Sequence, residues 1–254
     1  MTKKIKKLVI GNWKMNPETV LEAKKIVSEV KKYTKNIKKT QIVLCPPFVY
    51  LSPLSGSVSN KVFLGAQNAF YETAGPYTGE VSFNQLHQFK TSLVIIGHSE
   101  RRNMGETDEI INKKVISVVN EGMTAVLCVG EKEHDHNGEY LAFVKNQIVL
   151  GLKDITKKLV DHIVIAYEPI WAIGAKEAMN PREVHEMGIF IKKILKDMYG
   201  LLSDSIRIIY GGAVNEFNTE DIIKGGFVHG FLVGRESLKP KNFSEIIKIV
   251  DKTN

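Results

Sequence analysis

Bulky apolar residues gather in eight short runs along the chain, at 8–10, 41–45, 61–64, 93–96, 124–129, 163–167, 206–210 and 230–233. None alternates apolar with polar positions as a half-exposed strand does, so the runs read as strands buried on both faces of a parallel sheet. Between them, apolar positions recur at helical spacing. Val20, Leu21, Ala23, Ile26, Val27 and Val30 mark one face of a helix over 18–33. The same pattern predicts helices over 107–119, 140–152, 181–198 and 243–250, several opening near Pro, Thr or an acidic residue.

Eight strand–helix units in 254 residues, with no Pro-, Gly- or Ser-rich linker between them, predict a single α/β domain over 1–254, a (β/α)8 barrel. A doubly wound open sheet is the competitor. It loses ground because no G-x-G-x-x-G follows the first run, and the absence of any Gly-Lys dipeptide excludes a P-loop.

Composition is that of an ordinary globular chain, 43% hydrophobic and 25% charged. No apolar run nears the roughly 18 residues of a membrane span, so no membrane partner is expected. The apolar stretch behind the N-terminal lysines covers only 8–10, too short for an export signal, which predicts a cytoplasmic protein. Cys45 and Cys128 stand far apart without a C-x-x-C, as buried thiols of a reducing compartment do. The net charge of +7 comes from residues 1–40, which carry 12 Lys against three acidic residues. That excess sits at the N-terminus and on the polar face of 18–39 and not in an aromatic-lined groove, so no nucleic-acid partner is expected.

Barrels carry their chemistry where strands run into the following loops. Here those positions hold Gly11-Asn12-Trp13-Lys14, Cys45-Pro46-Pro47, Gln67-Asn68, Gly97-His98-Ser99-Glu100, Gly130-Glu131, Glu168-Pro169, Gly211-Gly212 and Gly234-Arg235. Lys14 is placed to meet an anionic substrate. His98 is the candidate proton-transfer group, set in a charged segment with Glu100, Arg101 and Arg102. Other histidines have weaker claims: His134-Asp135-His136 lies in a polar loop, and His185-Glu186 lacks the second His of a zinc motif, since position 189 is Ile. No metal site is expected.

Glu168 follows a run that must be buried, so it is either an ion-pair partner or a carboxyl of raised pKa. The apolar, loop-like stretch behind it, Pro169-Ile170-Trp171-Ala172-Ile173-Gly174, reads as a lid that excludes water. Two glycine clusters, at 210–214 and 230–234, fall at the ends of strands seven and eight, where barrels commonly hold a phosphate on backbone N–H groups.

The motifs Gly11-Asn12-Trp13-Lys14-Met15-Asn16, Gly97-His98-Ser99-Glu100-Arg101-Arg102, Ala166 through Gly174, and Tyr210-Gly211-Gly212 together resemble the triosephosphate isomerase family over nearly the whole chain. The resemblance implies a TIM barrel that interconverts dihydroxyacetone phosphate and glyceraldehyde 3-phosphate in glycolysis and gluconeogenesis, without metal or organic cofactor. It implies Glu168 as the base, His98 as the electrophile, Lys14 as the cation on the substrate and Asn12 as a supporting polar group. A glutamate base paired with a neutral histidine is the known pattern of this family. Gly174, Ala213, Gly234 and Arg235 fall where the family grips phosphate, while Glu100, Tyr210 and Leu232 support the site. Ile173 and Leu232 would clamp Glu168 when the lid closes. The loop from Asn68 to Glu80, with Phe70, Tyr71, Pro76 and Tyr77, is long and apolar, and the family implies a homodimer with Thr78 at the contact.

Several positions depart from the family's usual pattern. The lid ends Gly174-Ala175-Lys176-Glu177-Ala178-Met179 where Thr-Gly-Lys-Thr-Ala is common. Ala213 replaces a serine, Arg235 replaces the second glycine of a pair, and the segment 101–106 is one residue short. Two alternatives keep the same residues: an isomerase of a longer ketose phosphate such as an erythrulose phosphate, and a non-catalytic phospho-ligand-binding barrel.

Overall fold

The computed structural model describes residues 5–57, 59, 61–135, 137–172 and 179–253. Eight parallel strands close into a barrel in sequence order: β1 (Lys7–Asn12), β2 (Thr40–Cys45), β3 (Val62–Ala66), β4 (Thr91–Ile96), β5 (Thr124–Val129), β6 (Ile163–Tyr167), β7 (Arg207–Tyr210) and β8 (Gly230–Val233). Closure is made by β1, whose Ile10 pairs with Val43 of β2 on one side and Leu232 of β8 on the other. The (β/α)8 expectation is met.

The strands lack polar alternation because both of their faces are covered. Successive side chains point to opposite faces. On β1, Leu8 and Ile10 point into the barrel and join Val43, Leu93, Ile95, Val126, Val164 and Ile209 in an inner core. Val9 between them faces outward and joins the larger core under the helices. Both sets are apolar, so the period-two signal vanishes from the sequence.

Among the described residues the helices are α1 (Val20–Tyr33), α2 (Leu51–Leu54), α3 (Phe83–His87), α4 (Ser99–Asn103), α5 (Asp108–Asn120), α6 (Glu139–Gly151), α7 (Pro181–Tyr199), α8 (Thr219–Gly225) and α9 (Pro240–Lys252). Three of the long ones start where the N-cap side-chain oxygen takes up a free backbone N–H group. Thr19 accepts from Glu22 N, Thr107 from Ile110 N, and Asn180 from Arg182 N ahead of Pro181. None is long and apolar enough to cross a membrane.

Two expectations need correction. The apolar face of α1 is narrower than its sequence pattern: Ala23, Ile26, Val27 and Val30 are buried, but Leu21 is 76% exposed and Val20 is also exposed. At roughly 100° per residue, Leu21 stands on the side of the helix opposite the buried residues, and Val20 is the helix's first position, at the edge of that face. Helices α2, α3, α4 and α8 had no counterpart in the sequence pattern. At four to seven residues they are too short to display a helical period.

Candidate active site

Glu168 leaves the end of β6 and is 3% exposed. His98 leaves β4 and caps the N-terminus of α4, with its Nδ1 accepting the Glu100 N–H at 3.2 Å. A ring nitrogen that accepts carries no proton, so the neutral imidazole keeps its proton on Nε2. That Nε2 lies 3.4 Å from Glu168 Oε1. The other carboxylate oxygen receives the Ser99 N–H at 3.4 Å. Gly97, at φ 70°, supplies the left-handed turn that swings His98 from strand to helix cap. At the end of the neighbouring strand β7, a Cβ on Gly211 would lie 2.8 Å from Glu168 Cγ, so only glycine leaves the glutamate its place. Beneath it, burial and then the Glu168 charge push the Cys128 thiol up, keeping it protonated.

Lys14 sits at φ 54°, a left-handed conformation that costs a lysine of order 1–3 kcal/mol. The surroundings impose it. Lys14 N donates to Asn12 Oδ1 at 3.0 Å, and Gln67 Nε2 donates to both Lys14 O and Cys45 O at 2.8 Å. The ammonium reaches into the mouth, where Glu100 Oε1 accepts from it at 2.7 Å. Asn12, buried at the end of β1, spends its oxygen on holding Lys14.

These groups border a cavity of about 500 Å³ whose lining includes Asn12, Lys14, His98, Glu168, Gly212, Ala213, Leu232, Gly234 and Arg235. The loop after β7 is folded by a reciprocal pair: Asn215 N donates to Asn218 Oδ1 at 2.9 Å and Asn218 N to Asn215 Oδ1 at 3.1 Å. Among the described residues, the backbone N–H groups of Gly212, Ala213, Gly234 and Arg235 have no acceptor. Free donors lining one concavity suit an anion. The structure therefore gathers Asn12, Lys14, His98, Glu168, Ala213, Leu232, Gly234 and Arg235 at one cavity, with Glu100 bridging Lys14 and the His98 cap.

The lid expectation falls partly outside the described residues, which exclude Ile173 and Gly174. The flanks are described. Pro169 and Ala172 are buried, Ile170 is half-buried, and residues 170–172 form a single 3-10 turn with Trp171 40% exposed. Trp171 Nε1 donates to Glu131 Oε1 at 2.8 Å, and Tyr167 OH donates to the same oxygen at 2.9 Å. At the far flank Met179 N donates to the Tyr210 hydroxyl at 3.3 Å. Burial pushes the Tyr210 phenol up to about 12 and, together with the Glu131 charge, pushes the Tyr167 phenol higher still. Both hydroxyls thus keep their protons.

Sequence reasoning singled out neither Glu131 nor Gln67 as a site residue. Each had one signal: Gln67 directly follows β3, and Glu131 stands two residues past the end of β5. Glu131 is 1% exposed and holds Trp171 of the 170–172 turn; Gln67 holds the Lys14 carbonyl. Asn68, the start of the expected dimer loop, turns inward, where its Oδ1 accepts from the buried Lys114 ammonium at 2.9 Å. Residues 72–80 of that loop, including Thr78, are exposed.

A closed parallel barrel whose strand ends converge on a glutamate, a histidine and a lysine defines a (β/α)8-barrel enzyme. The model of the triosephosphate isomerase family matches residues 7–250. The triosephosphate isomerase of Dictyoglomus thermophilum is 41% identical over 247 residues, covering 96% of this chain and 99% of that protein. Those of Endomicrobium trichonymphae and Aquifex aeolicus are 39% and 37% identical, each again covering 96% of this chain and 98% and 99% of their own. The chain belongs to the triosephosphate isomerase family.

Proposed function

We propose that this protein interconverts dihydroxyacetone phosphate and D-glyceraldehyde 3-phosphate, with Glu168 as base, His98 as electrophile and Lys14 as electrostatic stabiliser. The observation that carries the reading is the pair formed by Glu168 Oε1 and His98 Nε2, 3.4 Å apart on one cavity. Moving a hydrogen between adjacent carbons breaks a C–H bond next to a carbonyl, and the proton goes to a carboxylate. The electron pair moves onto the carbonyl oxygen, and the enediolate needs a donor there. Nε2–H of neutral His98 is such a donor, and it passes a proton between the two oxygens before Glu168 returns its own to the other carbon. Lys14 places a positive charge beside the developing negative one, a contribution of about 3–4 kcal/mol for one well-placed donor.

The phosphate is held by the free N–H groups of Gly212, Ala213, Gly234 and Arg235, a reading supported by their lack of any other acceptor among the described residues. Residues 169–174 act as the lid, in keeping with the tie between Trp171 and Glu131 at its flank. A homodimer through the loop from Asn68 to Glu80 is supported by the exposure of Met15, Val49, Tyr77 and Met104. A cytoplasmic location is supported by two free, buried thiols, Cys45 and Cys128.

Progress curves with dihydroxyacetone phosphate, glyceraldehyde 3-phosphate and an erythrulose phosphate test the substrate. Turnover of the two trioses is expected to exceed that of the tetrulose phosphate. Preference for the tetrulose phosphate would move the reading to the longer ketose, and no turnover of any would reduce the protein to a binding barrel. Light scattering at micromolar concentration is expected to give twice the chain mass. A fully active monomer would exclude the dimer.

A further inference from the structure

The wall of the cavity formed by the turn after β8 carries a cation that no described side chain pairs with. Arg235 is exposed and borders the same cavity as Lys14, directly after Gly234, where a Cβ would lie 3.7 Å from Lys14 Cε. Of the other four arginines three are committed, Arg101 to Glu106, Arg102 to Asp108 and to Gly97 O, and Arg207 to Gln41, while Arg182, outside this cavity, is exposed and likewise has no ion pair among the described residues. Among the described residues, the Arg235 guanidinium makes no ion pair and no hydrogen bond. The acidic residue next to it in sequence is already taken. Glu236 accepts from Lys239 Nζ and from Asn242 Nδ2, each at 2.8 Å. Against the opposing effect of its burial, these partners hold the Glu236 carboxyl below its ordinary value, with Arg235 adding only a small part through its field.

Lys14, the other cation at the mouth, is differently placed. Its ammonium is held at 2.7 Å by Glu100, so much of its charge is balanced before any ligand arrives. Arg235 is the cation with charge to spare. A guanidinium also offers a planar fork of donors that matches two oxygens of a phosphate, which an ammonium does not.

We propose that the Arg235 side chain is an added anchor for the phosphate dianion of the substrate, supplementing the backbone N–H groups of the turn. The proposal rests on the phosphosugar reading of the cavity but not on the isomerisation itself. The phosphate is remote from the reacting carbons, so the contact holds substrate and transition state alike. Such uniform binding shows in KM and leaves kcat alone. An unpaired charge at an open rim also draws dianions by its field, and salt screens that attraction.

The test compares wild type with Arg235→Gln, Arg235→Gly and Arg235→Lys, each first shown to melt like wild type. Two quantities are read: steady-state kinetics with the trioses, and binding of inorganic phosphate by calorimetry. In Arg235→Gln and Arg235→Gly, KM and the phosphate Kd are expected to rise about tenfold, the size of one charge-assisted contact, with kcat within about twofold. Arg235→Lys should recover part of the loss, and added salt should narrow the gap between wild type and variants. If KM and phosphate Kd stay within twofold in both charge-removing variants, the side chain is only a solvated rim group and the proposal falls. A fall in kcat with KM unchanged overturns it equally. Arg235-dependent phosphate binding in a wild-type protein that isomerises neither triose would uphold the anchor and sink the isomerase reading instead.

Discussion

The two ends of the barrel are built from the same strands and treat their polar groups in opposite ways. At the foot, where strands begin, every described group named here is paired. Asp251 accepts the N–H groups of Lys38, Lys39 and Thr40 at 3.2, 2.7 and 2.8 Å, tying the C-terminal helix to the entry of β2. Arg207 donates to Gln41 at 2.9 Å, Lys7 donates to Thr253 Oγ1 at 3.1 Å, and His229 Nδ1 accepts from Ile208 N at 3.2 Å. At the mouth, a lysine is held in a left-handed conformation, four backbone donors lack acceptors among the described residues, and a glutamate is packed against glycine. The foot spends its hydrogen bonds on closing the fold. The mouth leaves them open, and its strain is sustained by the rest of the barrel.

Variants that exchange the two behaviours sharpen this contrast. The largest effect belongs to the mouth. Glu168→Gln keeps the size and burial of the side chain but not its capacity to take a proton, so kcat should fall by about 10²–10⁴ at unchanged melting temperature. Near-wild-type turnover would refute the assigned base. Lys14→Gly comes next and should move activity and stability in opposite directions. Efficiency is expected to drop by about 10²-fold, the loss of a charge aimed at the reacting atoms. Relief of the left-handed strain should raise stability by about 1 kcal/mol in denaturant titrations. A loss of stability would mean that position 14 is not under strain.

At the foot the signs reverse. Asp251→Ala strands three backbone N–H groups and should cost about 1–2 kcal/mol of stability while leaving kcat/KM as it was. A parallel loss of activity would show that the two ends are coupled. The smallest effect concerns pH. Burial holds the His229 imidazole below its ordinary value of 6.5, so the unfolded chain binds that proton more readily than the folded one. The stability this group contributes is fully present above about 6.5 and is lost as pH falls below it toward the folded-state pKa. Replacing His229 with Gln should flatten that part of the stability profile, and an unchanged slope would rule His229 out as its source.

The sequence by itself determined the barrel and the positions of its chemistry. Eight apolar runs with helical patterns between them specify the order of elements, because strand and helix periods are local properties. Lys14, His98 and Glu168 were legible for the same reason, as polar residues placed just behind buried strands. What only the tertiary structure decided are the relations between distant segments. Gln67 reaches back 53 positions to hold the carbonyl of Lys14, and Trp171 reaches 40 to find Glu131. No local period encodes such pairs; they exist because the parallel order of the barrel brings all strand ends to one rim. The left-handed turn at Lys14 is of this kind, since lysine does not prefer it and the contacts of Asn12 and Gln67 impose it. So is the division of each strand into inward and outward faces, which the sequence hides because both are apolar and only the curvature of the closed sheet tells them apart.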